Sequence, residues 1–158
     1  MSVVVSPVPI AVAKTGVPLT LAPIVPEWVV SGAPVARNAI LSHSKDWTAF
    51  TMEWDCTTGE FDWFYDLDET VHILEGSVIL DDGHGPARHL GVGDIVFFPA
   101  GSRVRWRVET YVHKLAFFRQ PFPKAMSFGL KVTRRLNRMA RSAMGRAPAS
   151  SGKAKGVA

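Results

Sequence analysis

The alternation of apolar and polar residues in short runs most limits what this chain can fold into. Turn residues break those runs about every ten positions. The pattern extends from Trp28 to Phe122. Between Asp46 and Cys56, Met52, Trp54 and Cys56 fall on one face, and Glu53 and Asp55 on the other. Between Arg103 and Glu109, Val104, Trp106 and Val108 alternate with Arg103, Arg105, Arg107 and Glu109. A period of two belongs to strands, whose successive side chains point to opposite faces. Thr58-Gly59, Gly76, Asp82-Gly83, Gly91-Val92-Gly93-Asp94 and Pro99-Ala100-Gly101 read as turns. About eight short strands in this span predict an all-β fold, a small antiparallel barrel or jelly roll.

The flanks follow other rules. Residues 1–26 carry Pro7, Pro9, Pro18, Pro23 and Pro26 among Val, Ala and Leu. Proline has no amide proton, so this stretch forms neither a helix nor a central strand. It reads as an extended arm, either packed along a neighbouring subunit or loose. Over residues 127–145 the period becomes helical. Phe128, Val132, Leu136, Met139 and Ala143 share one face, and Lys131, Arg134, Arg135, Arg138 and Arg141 the other. Ser127 can cap the start and Gly145 the end. Beyond Arg146 the composition predicts disorder. The chain thus divides into an arm (1–26), a barrel (27–122), and a basic amphipathic helix with its tail (123–158).

The net charge of +4 hides a split. Residues 124–158 hold nine basic side chains and no acid, so the first 123 residues set nine bases against all 14 acids and carry −5. A basic helix of this kind can lie on an anionic membrane, in an acidic protein partner, or on the barrel's own outer face. Its arginines lack interleaved aromatics, so no nucleic-acid partner is expected. One cysteine, Cys56, excludes a disulfide scaffold and paired CxxC zinc sites and suits a reducing compartment. No apolar run reaches the roughly 18 residues of a membrane span. No basic residue precedes the first apolar stretch, so Ala11-Val12-Ala13 makes a poor cleavage signal. A cytoplasmic location is the expectation.

Three groups of residues occur in a fixed order. The first is Trp54, Gly59, Phe61 and Trp63, followed by Asp68-Glu69 and Leu74-Glu75-Gly76. Next comes Gly93-Asp94 with Phe98-Pro99-Ala100-Gly101, and then Trp106, Val108 and Lys114. Over about residues 28 to 119 this series resembles the cupin superfamily, most closely its ureidoglycine aminohydrolase/ethanolamine-utilisation branch. The resemblance implies a double-stranded β-helix, a jelly-roll barrel with an interior pocket, and often a homodimer.

It also implies a metal test. Most enzymatic cupins draw two histidines and a glutamate from the first motif and a third histidine from the second. Counting back from Glu69, the histidine slots here hold Asp62 and Phe64, or Trp63 and Tyr65. Counting forward from Gly59, they hold Tyr65 and Leu67, and the second-motif slot holds Val104. Glu69 alone survives, and one carboxylate does not hold a catalytic metal. No metal and no cofactor are therefore expected.

His72 falls on the opposite strand face from Glu69 and reads as an edge or interface residue. His84 and His89 flank the Asp82-Gly83 turn and read as solvated, while spacing gives His43 and His113 no partner. Cys56 shares a face with Met52 and Trp54 and reads as a core thiol.

Glu69 is the candidate general acid or base, since burial among aromatics raises a carboxyl pKa. Equally, it can serve only as a hydrogen-bond acceptor for Tyr65, Trp63 or Lys114. Trp54, Phe61, Trp63, Tyr65 and Trp106 can line a pocket or simply fill the core. Lys114 can pair with Glu69 or with a ligand carboxylate. The reading is a cupin that binds, and slowly converts, a small polar metabolite without the usual metal. Two alternatives stand beside it: a metal-dependent ureidoglycine aminohydrolase-like enzyme, and a non-enzymatic sensor or assembly module acting through the basic tail.

Overall fold

Three long strands carry the molecule. A computed structural model describes residues 10–122, and the helix expected over 127–145 lies outside them. Along the chain, β1 spans Thr20–Leu21, β2 Val29–Gly32 and β3 Ala36–His43. The long strands are β4 (Ala49–Phe64), β5 (Asp68–Asp81) and β8 (Arg103–Arg119). Between the last two, β6 spans Arg88–Gly91 and β7 Ile95–Phe98. All pairings are antiparallel. The fold of the described residues is all-β.

Two expected turns are absent. The sequence predicts breaks at Thr58-Gly59 and at Gly76, but β4 and β5 run through both. Glycine serves another purpose there. A Cβ at Gly59 would sit 2.7 Å from the Pro34 side chain, and one at Gly76 would sit 2.0 Å from the Tyr111 carbonyl oxygen. Gly76 also has φ +71°. Both mark register shifts in the ladder. Glycine bulges of this type bend and twist a strand without ending it.

The bends change each strand's partners. The first half of β4 pairs with β3 and the second half with β2. The first half of β5 pairs with β7 and the second with β6. Strand β8 lies between β4 and β5 along its whole length. The sheet therefore folds over itself around one interior. Lys114, late in β8, places Nζ 4.8 Å from the ring of Trp106, early in the same strand. That contact requires β8 to curve around the core.

Trp54, Cys56, Phe61, Val71, Ile73 and Trp106 are among the residues that fill the interior. The opposite face of β4 is also covered, since Glu53 and Asp55 are buried. The backbone N–H of Gly16 donates to Glu53 Oε1 at 2.7 Å, which lays the arm across this outer face. Arg37 and Tyr111 hold the Asp55 carboxylate. Among the described residues no helix is long and apolar enough to cross a membrane.

Candidate functional site

Strand alternation and register set the polar centre of the interior. Glu69, Val71 and Ile73 point inward from β5, and Val112, Lys114 and Ala116 point inward from β8. Lys114 Nζ donates to Glu69 Oε1 at 2.6 Å, and both side chains are at most 5% exposed. The ammonium also lies 4.9 Å from the Trp54 ring and 4.8 Å from the Trp106 ring. Two indole faces and a carboxylate thus replace the water that a lysine normally requires. Of the acceptor and donor pairs expected for Glu69, Lys114 is the one the structure brings to it.

The aromatic residues pack on one another. Trp106 Nε1–H donates to Tyr65 Oη at 3.0 Å. Burial, followed by the nearby Glu69 charge, holds the Tyr65 phenol well above its usual pKa, so it stays neutral. Trp54 meets Phe61, Trp63 and Trp106 edge to face at 5.9 to 6.4 Å. Trp63 is half-buried and packs against Trp28. Cys56 lies in the same interior, where burial pushes its thiol to about 12, as far from a nucleophile as the sequence suggests.

The principal cavity lies next door. It has a volume of about 590 Å³ between β6, β7 and the start of β8. Leu80, Leu90, Val96, Phe98 and Val104 contribute apolar walls, and Arg88, Arg103, His84, Asp82 and Ser102 its polar groups. None of Glu69, Lys114, Trp54, Phe61, Trp63, Tyr65 and Trp106 lines it. Phe98 divides the two regions. It borders the cavity, stacks on Tyr65 at 4.4 Å, and sits directly across the ladder from Glu69. Phe98 and the wall residues were missed as site residues by sequence reasoning. The signal was available in the alternation Val96, Phe98 along β7 and in the motif Phe98-Pro99-Ala100-Gly101.

The polar groups at the mouth are partly engaged. Arg88 Nη1 donates to Asp82 Oδ2 at 2.9 Å, and Arg103 Nη2 to Asp62 Oδ2 at 2.6 Å. Each guanidinium has five N–H donors, so each keeps several for a ligand. The Asp82 carboxyl is held below its ordinary value by the His84 backbone N–H and then by Arg88. The Asp62 carboxyl is held down chiefly by Arg105 and then by Arg103.

The interior donor set does not fit a cupin-type metal. Tyr65 and Val104 are buried at two of the histidine slots, and the retained Glu69 is engaged by an ammonium. Among the described residues no three His, Cys, Asp or Glu side chains come together as a metal site. The histidines lie elsewhere. His72 is half-buried on the outer face of β5, and His84 is exposed. His113 Nε2 lies 2.7 Å from Glu53 Oε1, a partner that spacing did not reveal. His43 stacks on Trp47 at 3.8 Å.

Comparison with known proteins agrees with this architecture. The model of the EutQ-like cupin domain matches residues 44–116. A DUF861-family protein of unknown function from Pseudomonas syringae pv. tomato is 26% identical, with a TM-score of 0.62. The match covers 67% of this chain and 46% of that one, so this chain spans a little under half that relative's length. A DUF861-family protein from Thermotoga maritima is 42% identical over 40% of this chain and 73% of its own, with a TM-score of 0.39. The EutQ protein of Clostridium difficile is 18% identical over 55% and 64% of the two chains, with a TM-score of 0.48. None of the curated proteins matches the sequence. With its glycine-bent strands and folded-over antiparallel sheet, this chain carries a EutQ-like cupin domain over residues 44–116.

Proposed function

We propose that this chain binds a small amphipathic carboxylate in the cavity between β6, β7 and the start of β8. The observation that carries the reading is the division of labour around that cavity. Its walls are apolar, and two arginines with unspent donors stand among its polar groups. Apolar walls with a few convergent polar groups are the usual form of a small-molecule site. The walls favour a hydrocarbon or ring body on the small polar metabolite that sequence reasoning suggests.

Binding is favoured over catalysis because Glu69, the candidate acid or base, lies behind Phe98 and in contact with Lys114. Chemistry at Glu69 requires Phe98 to leave its stack on Tyr65. A metal-dependent reaction of the ureidoglycine aminohydrolase type draws no support from the donor set.

Calorimetric titration of small carboxylates against the purified protein and against Val104→Trp tests the reading. Val104 lines the cavity, so the larger indole takes up part of its volume while Glu69 and Lys114 are unchanged in sequence. Binding to the parent protein that drops at least about tenfold in Val104→Trp, with folding retained, supports the site. Equal binding to both proteins rejects it.

A further inference from the structure

The mouth of the principal cavity carries charges of both signs. An open hollow of about 230 Å³ adjoins the cavity and shares Asp82 and Arg103 with it. Asp62, Asp81, Gly83 and Arg105 complete that hollow. Across the two, three guanidiniums (Arg88, Arg103 and Arg105) stand among three carboxylates (Asp62, Asp81 and Asp82). Their pairing is uneven. Asp62 accepts from both Arg103 and Arg105, and Asp82 accepts from Arg88. Arg105 lies directly across the ladder from Asp81, yet it gives Nε and Nη2 to Asp62 at 3.0 and 3.1 Å. Asp81 is thereby left without a cation among the described residues. Its Oδ1 accepts the Gly83 backbone N–H at 2.8 Å, and its Oδ2 has no partner among them. A bare carboxylate docked on Arg88 and Arg103 brings its charge to a margin where one aspartate is already unneutralised, and like charges oppose each other there.

We infer that the ligand of this cavity is a zwitterion, a hydrophobic α-amino acid, whose side chain lies between the apolar walls, whose carboxylate meets Arg88 and Arg103, and whose ammonium meets Asp81. This rests on the assignment of the cavity as a carboxylate site and narrows that carboxylate to one bearing an ammonium. A zwitterion adds no net charge to a margin of three arginines and three aspartates, and it supplies the cation that Asp81 lacks. Asp82 and Arg103 line both hollows, so the two signs meet at one seam. That seam suits an ammonium and a carboxylate on the same carbon, rather than charges at opposite ends of a chain. The Arg88 and Arg103 side chains are 61% and 59% exposed. The charged end of the ligand therefore stays at the water side while its apolar end enters. A cavity of about 590 Å³ has room for an aromatic side chain.

Calorimetric titration of the full chain with three probes that share one ring tests it. The probes are L-phenylalanine, 3-phenylpropanoate, which lacks the ammonium, and 2-phenylethylamine, which lacks the carboxylate. L-Phenylalanine is expected to bind at least about tenfold more tightly than either of the others. Asp81→Asn removes the charge and keeps an oxygen for the Gly83 N–H, and a thermal melt verifies that the variant is folded. In it, phenylalanine is expected to fall to the level of 3-phenylpropanoate, whose own affinity does not fall. Binding of 3-phenylpropanoate to the parent as tightly as phenylalanine overturns the inference and leaves the cavity as a carboxylate site. So does an Asp81→Asn variant that binds phenylalanine as the parent does, or one that loses both ligands equally. Binding of 2-phenylethylamine as tightly as phenylalanine, or of no probe at all, overturns the inference and the carboxylate site together.

Discussion

Lys114 is the residue on which the interior depends most. Its charge is held by Glu69 at 2.6 Å and by two indole faces, and little of it reaches water. Removing one member of a buried ion pair strands the other, which costs about 3–5 kcal/mol. Glu69→Gln is therefore expected to lower stability by that order in urea unfolding. The double variant Glu69→Gln/Lys114→Met is expected to recover most of the loss, because no charge is left unpaired. A single variant as stable as the parent would show that the pair is not buried in solution. Cys56 allows a second check at this scale. With its thiol pushed to about 12 by burial, it is expected to react with a disulfide reagent at neutral pH only after unfolding.

Much of this was legible from single positions. Glu69 and Lys114 stood out because they hold the acid and lysine positions of the cupin-like series, and alternation places Val104 and Trp106 inward. What the sequence did not give was who touches whom. The Trp106–Tyr65 hydrogen bond and the Phe98–Tyr65 stack depend on three strands meeting in register. Phe98 stands in the sequence only as the first residue of the Phe98-Pro99-Ala100-Gly101 motif. Its place between the cavity and the ion pair exists only in three dimensions.

At the scale of elements, glycine and register decide more than strand propensity. Sequence reading expected turns at Gly59 and Gly76, since glycine most often marks a break. The alternative, a bulge where another backbone comes close, has the same local signature. Gly76→Ala distinguishes them. A methyl group there would meet the Tyr111 carbonyl at 2.0 Å in a left-handed backbone, so a loss well above the roughly 1 kcal/mol of a turn substitution is expected. A melting temperature near that of the parent would favour the turn.

Strand ends carry a second element-scale effect. Asp68 accepts from the Ala100 backbone N–H and from Arg119, in that order of importance, and its carboxyl is held below its ordinary value. Asp62 is held down in the same direction by Arg105 and Arg103. A carboxyl with a lower pKa folded than unfolded contributes stability above its unfolded value. That contribution drains away as pH falls through its folded value. The melting temperature is expected to fall as pH drops from about 5 to about 2. Asp62→Asn and Asp68→Asn are each expected to flatten part of that slope and to lower stability near neutral pH. A slope unchanged in both variants would assign acid unfolding to other carboxylates.

For the whole molecule, the sequence conveyed the fold class and the family because both rest on order and spacing, which survive errors in individual turns. Function was less legible, because a binding site is a volume, and the cavity is bounded by residues from β5, β6, β7 and β8 that are remote in sequence. Charge gives one further expectation. The first 123 residues carry −5, so an anionic ligand approaches against the field of the body. Affinity for a carboxylate then depends on the local guanidinium groups of Arg88 and Arg103. Arg88→Gln and Arg103→Gln are each expected to weaken binding by about tenfold or more. Loss of neither would place the ligand elsewhere.

Methyl-resolved NMR titration with a bound carboxylate tests the central claim most directly. The account predicts that the methyl signals of Leu80, Leu90, Val96 and Val104 shift together and saturate at one dissociation constant, while those of Val71 and Ile73, beside the Glu69–Lys114 pair, stay in place. Saturating shifts at the inner methyls with the wall methyls unmoved would contradict it.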